Sequence, residues 1–358
     1  MQMKVAFLTR YGPRGASSRV RAFQFESALR AAGIESVFFP LLGDRYLSAK
    51  YAGDRTIREA ASALAQRIRQ IGRARSTDLL WIEKELLPYF PALVEGWLLA
   101  GRPYVIDFDD AIFHNYDLSD RSVLRYLLGR KIDRLMVRAR VVTVGNAYLH
   151  ERAVRAGAAR IERLPSVINI DNYRLEERPV AGDAKISELV VVWIGSPATV
   201  HYLDLVREPL QRLAARMLIE LRVIGAPAPS WPGVRSSPVE WAADREAELL
   251  AAGDIGIMPL RDGPWERGKC GYKLIQYMAC GLPVVASPVG VNAEIVSHGV
   301  DGFLATTDDQ WEHSLDRLAN DPKLRADMGR RGRAKVEQSY SVQAIAPRFT
   351  ALLREAAG

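Results

Sequence analysis

The sequence predicts an α/β protein of two doubly wound, Rossmann-like domains facing across a cleft. Three observations carry that prediction. The chain has 358 residues, enough for two cores of ordinary size. Short apolar runs without polar alternation, as strands buried on both faces require, alternate with helical periodicities. The alternation then restarts after a polar stretch at 171–187, which holds Glu176, Glu177, Arg178, Pro179, Gly182 and Asp183 and reads as a linker. The expected division is a first domain at 1–175, a second at 186–340 and a closing helix at 341–358.

In the first half, Lys4 to Thr9 reads as a buried strand, and a loop with Gly12 and Gly15 follows it. Arg19 to Ala32 reads as one helix, with Ala22, Phe25, Leu29 and Ala32 on one side and Gly33 closing it. Glu35 to Pro40 is the next strand, which completes a βαβ unit. Gly12 and Gly15 fit Gly-x-x-Gly and not the dinucleotide fingerprint, which counts against a nicotinamide enzyme. Asp54 to Arg75 reads as a polar helix. Further strands are expected at Leu79 to Ile82, Tyr104 to Phe108, Val141 to Val144 and Ile161 to Ile168. The second of these runs straight into Asp109 and Asp110, at the carboxyl end of a strand, where open α/β sheets bind ligands.

In the second half, Leu189 to Ile194 is a strand ending in Gly195 and Ser196, and Tyr202 to Arg216 is a helix. Leu218 to Ile224 ends at Gly225, and a Pro-rich loop at 226–232 follows. Asp244 to Ala252 is a helix and Ile255 to Leu260 a strand. After a last short strand at Gly302 to Ala305, helices are expected at Asp308 to Asn320, Pro322 to Gln338 and Val342 to Ala356.

Composition is that of an ordinary globular chain, 48% hydrophobic and 25% charged, with no run of 18 apolar residues to cross a membrane. The apolar part of the N-terminus is too short for a signal peptide and reads better as a first strand. The two cysteines, Cys270 and Cys280, flank one predicted helix at a spacing that does not favour a bridge, so a reduced, cytoplasmic protein is expected. Two cysteines and five scattered histidines do not suit a zinc site, and no metal is expected.

The net charge of +7 is uneven. Arg121, Arg125, Arg130, Lys131, Arg134, Arg138 and Arg140 interleave with Leu124, Leu127, Leu128, Ile132, Leu135 and Met136 as a basic amphipathic helix over 121–140. It is either a solvated face over a core stripe or a contact with anionic lipid, which would place the protein peripherally on the inner face of the membrane. No nucleic-acid partner is expected.

The chain declares its chemistry at 265–287. Gly268, Lys269, Cys270 and Gly271 lead into a helix whose apolar face is Leu274, Ile275, Met278 and Ala279, with Lys273 and Gln276 on another face. Gly281 suits the helix C-terminus, and Pro283 to Ser287 follows as a core strand. A glycine loop that brings positive charge to a helix N-terminus is an anion-binding device.

These residues resemble glycosyltransferase family 4. The matching pieces are Gly195-Ser196, Ile224-Gly225, Asp254 to Pro259, Tyr277 to Ser287 and Gly299 to Phe303, with looser matches at Gly12, Gly15 and Asp107 to Ala111. The resemblance implies the GT-B fold and a retaining glycosyl transfer from a nucleotide sugar, UDP- or GDP-linked, without a required metal or other cofactor. It implies a donor in the second domain, a glycan or lipid-linked acceptor in the first, a last helix that crosses back to the first domain, and a place in cell-surface polysaccharide synthesis.

On that reading Lys269 and Lys273 clamp the donor diphosphate, whose charge grows as the glycosidic bond breaks. Gly195, Ser196, His201, Gly225 and Gly271 let backbone and side chain approach the phosphates, Gln276 meets the ribose, and Val239 and Trp241 fall near the nucleobase. Asp109 and His114 are candidates to orient or deprotonate the acceptor hydroxyl, with Asp110 the better helix cap. Arg19 and Arg21 suit a phosphate on a lipid-linked acceptor, or simply an exposed first turn.

Two departures stand out. Where the family shows two glutamates eight positions apart, this chain has Gly268 and Gln276, with Glu266 a substitute two residues early. The loop after the first strand of the second domain lacks the family's Arg and Lys. The alternative is a sugar-nucleotide-binding or membrane-docking protein of the same fold with impaired catalysis.

Overall fold

The structure, a computed structural model, describes residues 2–43, 46, 57–173 and 188–358. The chain forms two compact units. The first comprises Met1–Val167, Arg267–Cys270 and Ile345–Gly358, and the second Ile168–Glu266 and Gly271–Ala344. Most of the expected linker, 174–187, lies outside the described residues, as does the start of the expected helix at Asp54.

The first unit runs β1 (Met3–Leu8), α1 (Ala16–Arg21), α2 (Glu26–Ala31), β2 (Ile34–Phe38), α3 (Ile57–Arg73), β3 (Leu79–Glu83), α4 (Ala92–Leu98), β4 (Tyr104–Phe108), α5 (His114–Asp117), α6 (Ser122–Leu128), α7 (Lys131–Arg138), β5 (Val141–Val144), α8 (Ala147–Ala156) and β6 (Ile161–Arg163). Its six strands form one sheet in the order β2-β1-β3-β4-β5-β6, with every pair parallel. Every residue of β3, β4 and β5 is buried, because helices cover both faces of a parallel sheet. Residues 345–358 pack here too, where the Phe349 ring lies 4.7 Å from that of Phe25 and 6.4 Å from that of Phe7.

The second unit runs β7 (Leu189–Ile194), α9 (Arg207–Ala214), β8 (Ile219–Ile224), β9 (Arg235–Val239), α10 (Glu246–Ala251), β10 (Ile255–Met258), α11 (Pro264–Arg267), α12 (Tyr272–Ala279), β11 (Val284–Ala286), α13 (Asn292–Ile295), β12 (Gly302–Leu304), α14 (Asp308–Asn320) and α15 (Pro322–Ser339), and the closing helix α16 (Val342–Ala357) belongs to the first unit from Ile345 on. Its six-stranded sheet has the order β12-β11-β10-β7-β8-β9, again all parallel. In each sheet the chain reverses its direction of winding once, between β1 and β3 and between β7 and β10. Ligands of open α/β sheets bind at the carboxyl ends of the strands beside such a reversal.

Several expectations give way, among them the helix expected from Tyr202, which begins only at Arg207 after a 3-10 stretch over Val200–Val206. The helix expected at Arg19 to Ala32 breaks after Arg21, where Ala22 takes a φ of −136° and Phe23–Phe25 forms a 3-10 turn. Arg21 turns inward at that break to bind Asp107. The single basic helix expected over 121–140 is two helices, α6 and α7, separated at Gly129 and Arg130. Lys131 is not part of a solvated basic face: it is buried between Glu85 at 2.7 Å and Glu95 at 2.8 Å. The strand expected to reach Ile168 stops at Arg163, since Pro165 has no N–H for the ladder. Strand β9 and helices α4, α5, α8, α11 and α13 lie where the sequence reading expects no element.

Candidate functional site

In the first unit, the carboxyl ends of β1, β3 and β4 carry a dense polar cluster. Arg21 Nε donates to Asp107 Oδ2 at 2.9 Å and its Nη2 to Oδ1 at 2.5 Å, while Nη1 donates to the Leu164 carbonyl at 2.9 Å. Every arm of this guanidinium is engaged and buried, so Arg21 does not serve as a free phosphate binder. Thr143 Oγ1 adds a hydrogen bond to Asp107 at 2.5 Å. Ser17 Oγ lies 2.7 Å from Glu83 Oε1 and 2.6 Å from Asp109 Oδ2, and Ser18 Oγ donates to Glu83 Oε2 at 2.5 Å.

Sequence reasoning missed Lys84. It follows β3 directly, its ammonium is buried, and it lies 2.9 Å from Asp109 Oδ1. Burial alone would push the Asp109 carboxyl up, but Lys84, Arg21 and the Ser17 hydroxyl together hold it below the ordinary carboxylate range. Its neighbour Asp110 shifts the other way: burial and the Asp109 charge raise it against Lys84 and Lys269. Asp110 Oδ1 accepts from the N–H of the next residue, Ala111, at 3.1 Å, but it is not the helix cap expected of it: α5 starts only at His114, with Phe113 at the N-cap position and no side-chain cap.

His114 is placed as a structural residue. One ring nitrogen, Nδ1, is 2.7 Å from Asp117 Oδ1 and the other, Nε2, 2.8 Å from the Tyr148 hydroxyl. The ring also packs edge-on against Phe113, with centroids 4.5 Å apart. With both nitrogens used, it presents none to an acceptor, and the catalytic role expected for it is corrected.

Residues 267–270 of the signature stretch also belong to this unit. Asn146 Nδ2 donates to the Arg267 and Lys269 carbonyls at 3.2 and 2.9 Å. Cys270 is buried against Gly145, and burial with the nearby aspartates pushes its thiol well up, so it is no nucleophile. Lys269 acts electrostatically on Asp110. Gly268 sits against Ala111, where a side chain has no room.

In the second unit, the reversal point collects the other expected residues. Lys273, on the first turn of α12, holds its ammonium 3.9 Å from the centre of the Trp193 ring, a cation–π arrangement. A β-carbon on Gly195 would come within 2.7 Å of that ammonium and 2.4 Å of the Trp193 ring. Gly225 has φ +83°, and its β-carbon would meet the Gly195 carbonyl at 2.6 Å, so both positions need glycine for the loops after β7 and β8 to approach. Gly271 opens α12 at φ +65°.

Tyr277 pins α12 beneath this point. Its hydroxyl accepts from the Ile194 N–H at 3.0 Å and donates to the Ile257 carbonyl at 3.2 Å. Gln276 is 3% exposed, which excludes a plain surface amide, and its side chain makes no hydrogen bond to another described residue. Ser196 follows Gly195 and its carbonyl accepts from the Thr199 N–H at 2.9 Å. His201 is exposed, with its ring centre 4.1 Å from that of Tyr202. Val239 ends β9, half-buried. Trp241 is tied down by its indole N–H, which donates to Glu246 at 2.8 Å. Glu266, the substitute acid two residues early, accepts from the Tyr202 hydroxyl at one of its two carboxylate oxygens.

Among the described residues no group of three or more His, Cys, Asp or Glu side chains is placed to hold a metal ion, and no helix is long and apolar enough to cross a membrane.

A family profile described as glycosyl transferases group 1 matches residues 188–321. Among curated proteins, N-acetyl-alpha-D-glucosaminyl L-malate synthase of Bacillus anthracis is 30% identical over 108 residues, covering 30% of this chain and 27% of that protein. The GDP-mannose-dependent monoacylated alpha-(1-6)-phosphatidylinositol monomannoside mannosyltransferase of Corynebacterium glutamicum is 35% identical over 108 residues, 29% of this chain and 28% of its own. The matched stretch thus spans less than a third of either relative. Among solved structures, sucrose-phosphate synthase from Thermosynechococcus elongatus superposes with TM-score 0.71 at 16% identity, over 99% of this chain and 98% of that one. The Anabaena protein HepE in complex with UDP-glucose superposes with TM-score 0.66 at 18% identity, over 99% of this chain and all of its own. These likenesses give the fold, GT-B.

Proposed function

We propose that this chain, whose residues 188–321 match the group 1 glycosyl transferase profile, carries out a retaining transfer of a sugar from a nucleoside diphosphate to a glycan or lipid-linked acceptor. The observation that carries it is the Lys273 ammonium, held over Trp193 beside Gly195 at the start of α12. As the bond from the anomeric carbon to the diphosphate breaks, negative charge gathers on the leaving oxygen. A fixed cation at a helix N-terminus lowers the energy of that state more than that of the bound donor. The leaving phosphate takes the acceptor's proton while the new glycosidic bond forms on the same face. The same charge lets the reaction run without a metal ion. The buried amide of Gln276, which has no hydrogen-bond partner among the described residues, suits ribose hydroxyls. UDP-glucose in the HepE complex favours a uridine donor, while the Corynebacterium relative is GDP-mannose-dependent, so both bases belong in the test.

The acceptor side falls to the first unit, at the carboxyl ends of β3 and β4. We place the transfer at the cytoplasmic face of a membrane, in cell-surface polysaccharide synthesis. Support comes from α6 and its neighbours, where Val123, Tyr126 and Leu127 are exposed among Arg121, Arg125 and Arg130. A thermal-shift panel of UDP, GDP, ADP and their sugars tests the donor reading. One diphosphate series should raise the melting temperature, and turnover of its sugar should release the free nucleotide. Binding without release across many acceptors would instead favour the impaired binder, a reading that the missing glutamate at Gly268 keeps open. No shift with any nucleotide would end the proposal.

A further inference from the structure

The residue at the end of β3 is the least expected feature of the first unit. Lys84 has φ +67°, in the left-handed region that a lysine rarely enters. The turn is held on both sides: the Lys84 N–H donates to the Asp107 carbonyl at 2.8 Å, and the Glu85 N–H to the Glu83 carbonyl at 2.8 Å. Glu83 is tied to Ser17 and Ser18, and Glu85 to Lys131 and the Tyr116 hydroxyl. Strain of this kind persists only where the surroundings over-determine it, and it gathers at functional sites. Here it turns the lysine side chain to the carboxyl edge of the sheet, against Asp109.

The Asp109–Lys84 contact leaves something open. Asp109 Oδ2 accepts from Ser17, whereas Oδ1 is buried and, despite the ammonium 2.9 Å away, accepts no hydrogen bond of good geometry. Asp110 has one oxygen on the Ala111 N–H and is only part-buried. Two adjacent, half-buried carboxyls therefore stand at the carboxyl end of β4, one clamped by Lys84 and Ser17 and the other hydrogen-bonded to the N–H of its own neighbour Ala111.

We propose that Lys84 is a positioning residue of the acceptor side: held by its left-handed backbone, it fixes Asp109 as a permanent anion and leaves Asp110 as the carboxylate that meets the acceptor hydroxyl. This rests on the proposed glycosyl transfer and names the residues of its acceptor half. The charged and titratable groups facing the pair are Lys84, Glu83 and Arg10 from the strand ends, Arg21 and Ser17 from α1 and its approach, and Lys269 and Cys270 from the 267–270 segment. Lys84 exerts the strongest charge effect on either carboxyl, and two neighbouring acids driven apart in this way can take different parts at a site, here with Asp110 orienting the hydroxyl whose proton the leaving phosphate takes.

The test uses the full-length protein with ¹³C-carboxyl-labelled aspartate, and UDP-glucose and GDP-mannose with water as acceptor. In the wild type the two side chains should titrate on opposite sides of the ordinary value. In Lys84→Gly, which removes the charge but suits the left-handed backbone, both titrations should move up, Asp109 by about one unit or more. The acid limb of nucleotide release should move up with them while the donor KM holds. Lys84→Arg, with charge retained, should keep the wild-type limb. Two wild-type carboxyls titrating together, or a limb unmoved in Lys84→Gly, would overturn the assignment, as would a limb displaced equally in Lys84→Arg. If Lys84→Gly does not fold, the wild-type titrations and Lys84→Arg still decide. If no nucleotide sugar binds or turns over in the wild type, the transfer reading fails, while the carboxyl titrations still judge Lys84.

Discussion

A β-carbon added to Gly268 would stand 2.4 Å from the β-carbon of Ala111 and 2.9 Å from its backbone nitrogen. Backbone cannot yield cheaply there, because the Ala111 N–H donates to Asp110 Oδ1 and Ala111 is itself fully buried, three positions after the fully buried Phe108. The absence of the glutamate expected from the family resemblance thus has a physical cause: in this chain the space for its side chain is filled. Gly268→Glu should lower stability by about 1–3 kcal/mol, the cost of overpacking, and bring no gain in turnover. Urea unfolding checks this, and an unchanged midpoint would show that the loop moves aside.

His114 gives the opposite kind of prediction, large in stability and small in activity. His114→Ala leaves the Tyr148 hydroxyl without its ring-nitrogen partner and takes one partner from Asp117, which keeps Arg152 at 2.7 Å. The loss should be about 1–3 kcal/mol, with kcat at the wild-type level for protein that remains folded. A fall in kcat without a fall in melting temperature would restore a catalytic role.

Asp109 and Asp110 should affect stability with opposite signs. An aspartate in the unfolded chain titrates near ~3.9. Asp109 is held below its ordinary range, so it contributes stability above that value, lost as pH falls through its lower folded pKa. Asp110 is raised, so its contribution is fully present below the unfolded value and is lost as pH rises through its folded pKa. Relative to wild type, Asp109→Asn should therefore lose melting temperature, and Asp110→Asn gain it, as pH increases from about 3 to 6. Parallel trends in the two variants would contradict the split.

The exposed apolar residues of the first unit predict lipid binding. Trp97 on α4 is 77% exposed and Tyr126 on α6 is 89% exposed. Vesicles containing phosphatidylglycerol should retain the protein at low salt, and pure phosphatidylcholine should not. Raising salt to about 1 M, where the Debye length is near 3 Å, should release it. Trp97→Ala with Tyr126→Ala should weaken retention at low salt without changing nucleotide binding. Failure of the wild type to bind anionic vesicles would remove the membrane from the account.

Much of this was legible before any coordinates. The strand at 189–194 is an uninterrupted apolar run, and those at 104–108 and 141–144 are broken only by Asp107 and Thr143, which pair with each other across the ladder, so a doubly covered sheet accommodates all three. Helix α14 carries its own start signal, with Thr307 and Gln310 forming a capping box. Gly195, Gly225 and Lys273 stood out because glycine after a strand and lysine at a helix start are local chemistry. What stayed hidden depends on residues distant in sequence. Lys84-Glu85 reads as a surface pair until β3, α1 and α7 surround it. Lys131 looks like one cation among seven over 121–140, and only Glu85 and Glu95 single it out for burial. The fit of Gly268 to Ala111 is likewise a tertiary fact.

The central claim is that the Lys273 ammonium, placed between Trp193 and Gly195, stabilises the charge of a departing nucleoside diphosphate. The direct measurement is single-turnover cleavage of the preferred nucleotide sugar by wild type and Lys273→Ala, with melting temperature recorded on the same samples. The account predicts a loss of more than ~10-fold in rate with the fold intact, the scale expected for removing one charge-stabilising donor. An unchanged rate in a folded variant would contradict it.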